Sequence, residues 1–432
     1  MVDAFLVSKK WNGVKMVQKV RELSAEEFSA FEEKCPYGSF YQSVEQGNLM
    51  LKEGHKATYM GLVEDDKIIV AGLLVGMKIH FGYRFDIYGG PLFMPGSETK
   101  ANLSAFVEAV EEYVRNQNGM FLRLIPNLPV KTYNDAGELT ASHFETLPAL
   151  FKELGYDYQD YHAAGYDEAT HVTHYEYKKD VRDMTEQTLE KSFDKKTRYN
   201  IKKAKEFGVK LRDISFDELP EFKKDTAMTA ERLHFPDKSL DYYQNVYREF
   251  GDKIRFVVAE IDSNEYIDSY QQKIKSTDDK IAALKAKNKG YEQNKIDDLE
   301  RQKANHQKKI DVAKDLQKRY PAKFNVAGAM FVIQPQEIDY VFSYTNEEFK
   351  TFKGPFMLQD AMMKAAVDQK IPTYNFLGVA GLFDGSDGVF EFKQGFNGYT
   401  DEMIGEFSKV LIPWRYKLLN AIKTVLGRSK RF

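Results

Sequence analysis

The densest chemistry in this chain is cationic. Lys195-Lys196-Thr197-Arg198-Tyr199-Asn200-Ile201-Lys202-Lys203-Ala204-Lys205 reads as a helix that stops at Gly208. Such a face is either simply solvated or a contact for phosphates, which clustered lysine and arginine neutralise without reading sequence. His171 and His174 have a spacing found in metal sites, but residues 170–177 alternate as a strand does, which turns the two rings to opposite faces, so no metal is expected. Cys35 is the single cysteine; it excludes an internal disulfide or a cysteine-rich metal site, suits a reducing compartment, and reads as a small core residue rather than a nucleophile.

Several catalytic signatures are missing. The sequence has no Walker phosphate loop, no dinucleotide-binding glycine fingerprint, no nucleophile elbow and no zincin helix. It also lacks the R/Q-x-x-G-x-G/A pyrophosphate loop of acyl-coenzyme A acetyltransferases, so an acyltransferase built on this chain would use another donor, and no cofactor is expected. A net charge of -3 over 432 residues excludes a globally basic protein, which confines any nucleic-acid contact to local patches. With 43% hydrophobic and 14% aromatic residues, the chain can build two or three packed domains. No apolar run is long enough for a bilayer and Met1 to Val20 lacks the features of a signal peptide, so a cytoplasmic protein is expected.

The elements that must position these groups read as mixed α/β. A helix opens at Ser24 with a capping-box pattern to Glu27. Strands over 58–63 and 67–75 flank a Glu64-Asp65-Asp66 turn; a strand over 85–88, a helix near 101–117 and a strand over 120–125 follow. The second half replays that order with strands at 255–261, 326–333 and 337–344, a helix over 355–368 and a strand over 374–378. Val70-Ala71-Gly72-Leu73-Leu74 and Val326-Ala327-Gly328-Ala329-Met330 fall at the same point of the two copies, which argues for a duplicated, acetyltransferase-like module.

Two heptad-patterned stretches interrupt the second copy between neighbouring strands. Ile267, Tyr270, Ile274, Thr277, Ile281 and Leu284 form one seam; Ile296, Leu299, Ile310 and Ala313 form the other, with Lys303 and His306 at seam positions that favour leucine. Residues 288–294 break the helix, so an antiparallel hairpin is expected, each arm of roughly two dozen residues reaching about 36 Å. An intermolecular zipper is the alternative. At the C-terminus, Trp414, Tyr416, Leu418, Leu419, Ile422, Val425 and Leu426 interleave with Arg415, Lys417, Lys423, Arg428, Lys430 and Arg431. This is either a basic amphipathic helix at an anionic membrane surface or a helix docked on the core with a solvated tail.

Five motifs then occur in one order. They are Pro36-Tyr37-Gly38-Ser39-Phe40-Tyr41-Gln42-Ser43; Gly89-Gly90-Pro91; the cationic helix ending in Gly208-Val209; Ala230-Glu231-Arg232 with Tyr242-Tyr243; and Phe392-Lys393-Gln394-Gly395-Phe396. In this the chain resembles the FemABX family of peptidoglycan interpeptide-bridge aminoacyltransferases over nearly its whole length from Val17, including the helical arm that some members carry.

The resemblance implies tandem acetyltransferase-like domains: one over 17–178, a second over 179–262 and 321–432, and the arm over 263–320. It implies transfer of an amino acid from aminoacyl-tRNA to an amino group on the stem peptide of a lipid-linked cell-wall precursor such as lipid II. Lys393 falls on the family's catalytic lysine, beside Phe392, and would stabilise the oxyanion formed when an amine attacks an ester. Without that role it would be one more strand-edge lysine. Substrate contacts would fall on Lys238, Tyr242 and Arg232, where Lys238 keeps the charge of a family arginine but not its fork. Two positions depart from the family: Met50 replaces a substrate-binding lysine, with Lys52 nearby as a substitute, and Ile125 before Pro126 replaces an aspartate, which removes that carboxylate as a base. Lys195, Lys196, Arg198, Lys202 and Lys203, with Lys285, Lys287 and Lys289 on the arm, would meet the tRNA. The rival expectations are an acyl-coenzyme A N-acyltransferase and a non-catalytic protein that oligomerises through the coiled coil.

Overall fold

Runs of alternating and apolar β-formers, closed by tight turns, build two mixed sheets in the computed structural model, which describes residues 5–11, 14–159, 173–233, 237–287 and 292–425. The first sheet runs in the order Phe5–Trp11, Val14–Glu22, Lys56–Glu64, Lys67–Ile79, Gly82–Gly89, Gly119–Pro126, Glu406–Val410, Asp157–Gln159, with Leu92–Phe93 paired to Lys67–Ile79. Only Gly82–Gly89 and Gly119–Pro126 are parallel, and helix Lys100–Asn116 makes the crossover, burying Leu103, Phe106, Val107, Val110 and Val114.

The second sheet repeats the plan. Its order is Lys210–Asp213, Ile254–Asp262, Lys323–Ile333, Glu337–Thr345, Thr373–Val379, Tyr175–Asp180, Tyr399–Met403, Pro129–Tyr133, Leu139–Ser142. Glu337–Thr345 and Thr373–Val379 form its parallel pair, and helix Gly354–Asp368 crosses between them. The matching pentapeptides at 70–74 and 326–330 occupy equivalent strands, so these are two tandem acetyltransferase-like modules.

Strand order crosses the division expected at residue 178. Pro129–Tyr133 and Leu139–Ser142 complete the second sheet, while Glu406–Val410 from the far end of the chain lies in the first. Each module is finished by the other's chain, a long-range exchange that no local pattern announces. The segment before Val17 also acquires a place, as Phe5–Trp11 pairs antiparallel with Val14–Glu22 on the first sheet's edge.

The same hairpin is closed in two ways. In the first module Lys56–Glu64 turns into Lys67–Ile79 through Asp65 and Asp66, with φ of 46° and 64°, the left-handed pair that a two-residue turn requires. In the second, Ile254–Asp262 and Lys323–Ile333 pair antiparallel, but helices Ser263–Lys287 and Gln293–Leu316 stand between them. The helices pack on each other, and Tyr266, Ile267, Tyr270, Ile310, Ala313 and Leu316 root the arm in the second module's core. Lys303 resolves its seam position by reaching Asp278 at 2.6 Å, and His306 does so against the Tyr270 ring, centroids 5.4 Å apart. The arm is self-paired.

Helix Pro413–Val425 docks on the first sheet through buried Leu419 and through Tyr416, stacked on Phe121, while Trp414 and Leu418 stay exposed. Arg428, Lys430 and Arg431, like His171 and Lys289, lie outside the described residues. No helix among the described residues is long and apolar enough to cross a membrane.

Candidate active site

The two modules meet through the loop that carries the first family motif. Gln336 of the second module donates to the carbonyls of Glu32 and Cys35, and a Cβ on Gly38 would fall 2.7 Å from the Gln336 side chain, so a larger residue there would push Gln336 off those carbonyls. Behind this contact lies a cleft of about 560 Å³, its mouth included. Ser39, Phe40 and Tyr41 form one wall, and the ends of the first module's parallel strands, Tyr88-Gly89 and Ile125-Pro126, form another. Glu176, Glu337, Asp339, Asn375 and Leu377 of the second sheet make the floor.

That floor is strongly acidic. Lys178 sits 3.2 Å from Glu176 and 3.3 Å from Glu337, all three buried. Asn375 donates to Glu176 at 3.0 Å. Asp339 is 1% exposed, and its Oδ2 has no hydrogen-bond partner among the described residues. Burial, then the charges of Glu337 and Glu176, push the Asp339 carboxyl well above the usual range; burial also raises Glu337 and Asp401. Lys178 moves up, because the surrounding carboxylates outweigh its own burial.

Lys393 is set on helix Gly388–Gln394, not on a strand edge, and is only 5% exposed. Its Nζ donates to the carbonyls of Leu377 at 3.1 Å and Gly378 at 2.5 Å. Those carbonyls are available because the ladder breaks there: pairing passes from Glu176 opposite Gly378 to Lys178 opposite Asn375, and Leu377 takes a φ of 57°. A left-handed leucine is strained by roughly 1–3 kcal/mol. Asn375 Oδ1 holds the kink by accepting from the Leu377 N–H at 2.7 Å. An ammonium has three donors, and two are spent on these carbonyls, leaving one to aim at a ligand. Burial lowers the Lys393 pKa to about 7 against the opposing pull of Asp387 and Glu176, so the group changes charge near neutrality.

The remaining expected residues divide. Lys238 lies over the Tyr242 ring, 5.0 Å from its centroid, and Tyr242 is close enough to Tyr41 on the cleft wall to raise the latter's pKa. Phe392 faces the core, against Phe356 and Phe396, rather than the cleft. Lys52 is paired with Glu249 and Arg232 with Glu347, so neither stands on the cleft wall; Met50 packs in the core. Ile125 is on the wall, so the position at which the resemblance leads one to expect an aspartate is apolar here. Cys35 is buried, and burial pushes its thiol up to about 12, which removes it as a nucleophile.

Helix Lys195–Glu206 begins beside the Lys393 helix. The Asp194 N–H donates to the Gly395 carbonyl, and a Cβ on Gly395 would sit 2.3 Å from Thr197 Oγ1. Lys195, Lys196, Arg198 and Lys202 are exposed on it, with Lys196 paired to Glu391 and Lys203 to Glu206. Lys285 is exposed on the arm, and Lys287 is the last residue of its helix.

Sequence reasoning missed the acidic floor. Its one available signal was polar residues inside strands otherwise rich in β-formers, Glu176 and Lys178 in one and Glu337 and Asp339 in another. Period-two alternation assigns such residues to solvent.

A buried lysine held by the carbonyl of a left-handed leucine that lines the cleft between the duplicated modules is an arrangement suited to acyl transfer. The sequence profile of the FemAB family matches residues 23–424, and the chain belongs to that family. It is similar to aminoacyltransferase FemA of Staphylococcus aureus strain MW2, 30% identical over 427 residues, covering 95% of this chain and 99% of that one. FemA of strain N315 matches to the same extent, 30% over 427 residues. The crystal structure of FemX shares the fold, with a TM-score of 0.74 at 20% identity, covering 92% of this chain and 99% of FemX. The chain is an aminoacyltransferase.

Proposed function

We propose that this aminoacyltransferase takes an amino acid from aminoacyl-tRNA and adds it to an amino group on the stem peptide of a lipid-linked peptidoglycan precursor, building the interpeptide bridge. The observation that carries this reading is the Lys393 ammonium, fixed by the Leu377 and Gly378 carbonyls at the edge of the cleft with one donor left over. Attack by an amine on the aminoacyl ester forms a tetrahedral oxyanion, and a preorganised cation in a dry site stabilises it by several kcal/mol. The cationic face of Lys195–Glu206, tied to the Lys393 helix through Gly395, is suited to the tRNA phosphates next to the acyl end. Tyr242, close to Tyr41 of the cleft wall, carries Lys238 over its ring, and this pair is suited to the acceptor's phosphate end. Exposed Trp414 and Leu418, beside Lys417, give the docked C-terminal helix an apolar and basic surface for the membrane that holds the acceptor.

The test is product mass after purified protein is mixed with lipid II and a panel of charged tRNAs. One added amino acid, absent when acetyl-coenzyme A replaces the charged tRNA, supports the reading; transfer from acetyl-coenzyme A alone overturns it.

A further inference from the structure

The acids under the cleft have no task in the oxyanion chemistry, and they are expensive to keep. Among the described residues Lys178 is the one ammonium in salt-bridge contact with Glu176 and Glu337; Asp339 stands beside Glu337, and its Oδ2 is buried with no N–H or O–H donated to it. Leaving a buried polar atom unpaired is unfavourable by roughly 1–3 kcal/mol, so a site that does so while also crowding carboxylates is shaped for a cation that arrives later. The acids of the cleft floor would repel a phosphate. The floor suits a primary ammonium, a compact cation with three donors.

We propose that Asp339 is the acceptor-amine site of this enzyme: the acidic floor takes the acceptor as an ammonium ion, and Asp339 removes its proton. The proposal rests on the acyl-transfer reading above for its second half and on the cleft alone for its first. The ammonium gives one proton to Asp339, and the neutral nitrogen forms the C–N bond to the ester carbonyl, whose oxygen takes the negative charge next to Lys393. Collapse breaks the C–O bond to the ribose, and a second nitrogen proton leaves with that oxygen. The products are an amide, a ribose hydroxyl and a protonated Asp339 that returns its proton to solvent. The raised affinity of Asp339 for a proton, from its burial and its neighbours Glu337 and Glu176, is what such an acceptor needs. Ile125 stands on the wall of the same cleft, so a carboxylate on the floor supplies what that position does not.

Calorimetric titration separates the two halves. The probes are stem peptides whose lysine side chain is free or carries one glycine, each beside its N-acetylated twin. Wild type is expected to bind a free amine at least tenfold tighter than its twin, and Asp339→Asn to lose that preference with an unchanged circular dichroism spectrum. Equal binding of amine and twin by wild type overturns the proposal whether or not transfer occurs. Preference for the amine without any transfer overturns the acyl-transfer reading and leaves the amine site standing. In the transfer assay, Asp339→Asn is expected to lower kcat about 10²–10⁴-fold with an ordinary amine. The loss should shrink with a fluorinated acceptor amine that is already neutral at the assay pH. An equal loss with both acceptors assigns Asp339 a structural role and refutes the proton transfer.

Discussion

The two modules place charge at the same point of the strand order and settle it differently. In the first, Asp86 lies in register with Arg123 across the parallel pair; Arg123 binds it at 2.7 Å and Glu406 at 3.1 Å, and Arg84 adds a 3.1 Å contact. Two acids meet two guanidinium groups, so the charges balance, although Arg84 Nε is left without a partner among the described residues. In the second, Asp339 lies in register with Asn375, a neutral residue that turns to Glu176 and Leu377. One lysine is left to serve the acids around it, and the cluster opens on a cleft. The architecture is shared; where the first module carries a guanidinium the second carries an amide, and its acids are left in excess. Buried charge by itself marks neither function nor stability, whereas imbalance beside a cavity marks function.

The sharpest test is one substitution at the two register-equivalent positions. Asp86→Asn leaves Arg123 and Arg84 short of a buried partner and is expected to lower unfolding free energy by about 3–5 kcal/mol in urea titrations. Asp339→Asn removes a repelled carboxylate and should raise stability by roughly 0.5–2 kcal/mol at pH 7. The sign follows from its raised pKa: the folded protein favours the proton, so the aspartate chain loses stability as pH rises from the usual carboxylate range toward that higher value. The gain should therefore vanish near pH 3. Destabilisation at both positions would dissolve the contrast.

Lys393→Ala comes next, with an expected loss of about 10²–10³ in kcat, the scale of a deleted oxyanion donor, and a melting curve like that of wild type. Because burial brings Lys393 to a pKa of about 7, its ammonium form fades as pH rises through neutrality, and the kcat profile should fall on that limb. Lys178 contributes no such limb, since its neighbours push it up. A profile that still falls near 7 in Lys393→Ala would assign the limb elsewhere.

Much of this was legible in the sequence, for physical reasons. Period-two and heptad patterns gave the strands, the duplication and the arm, because each of those elements buries a contiguous apolar stripe. Lys393 was found through the order of motifs around it, yet its surroundings were not: the kink at Leu377 comes from a register break, and nothing in Asn375-Phe376-Leu377-Gly378 signals a left-handed leucine. The strand exchange escaped because Pro129–Tyr133 and Glu406–Val410 are short and their cross-module partners, Tyr399–Met403 and Gly119–Pro126, lie more than two hundred residues away. Glu176 and Asp339 escaped because a polar residue in a strand reads as solvated until both faces of its sheet are known to be covered.

Glu32 offers the gentlest way to break the comparison. It is also a buried acid with an unpartnered oxygen, 1% exposed, but it belongs to the first module and is not on the cleft wall. Burial pushes its pKa up to about 8, with Glu45 and Glu33 adding and Lys253 opposing. Folding thus retains a proton that the unfolded chain releases near 4.5, so this group costs the native state stability as pH rises from 4.5 to about 8 and no more beyond. Glu32→Gln should raise stability by about 0.5–2 kcal/mol at pH 8, have little effect near pH 4, and leave transfer within twofold of wild type. If the variant instead loses transfer as Asp339→Asn is expected to, then an unpaired buried acid matters wherever it lies, and position beside the cleft is not what separates a site from a flaw in packing.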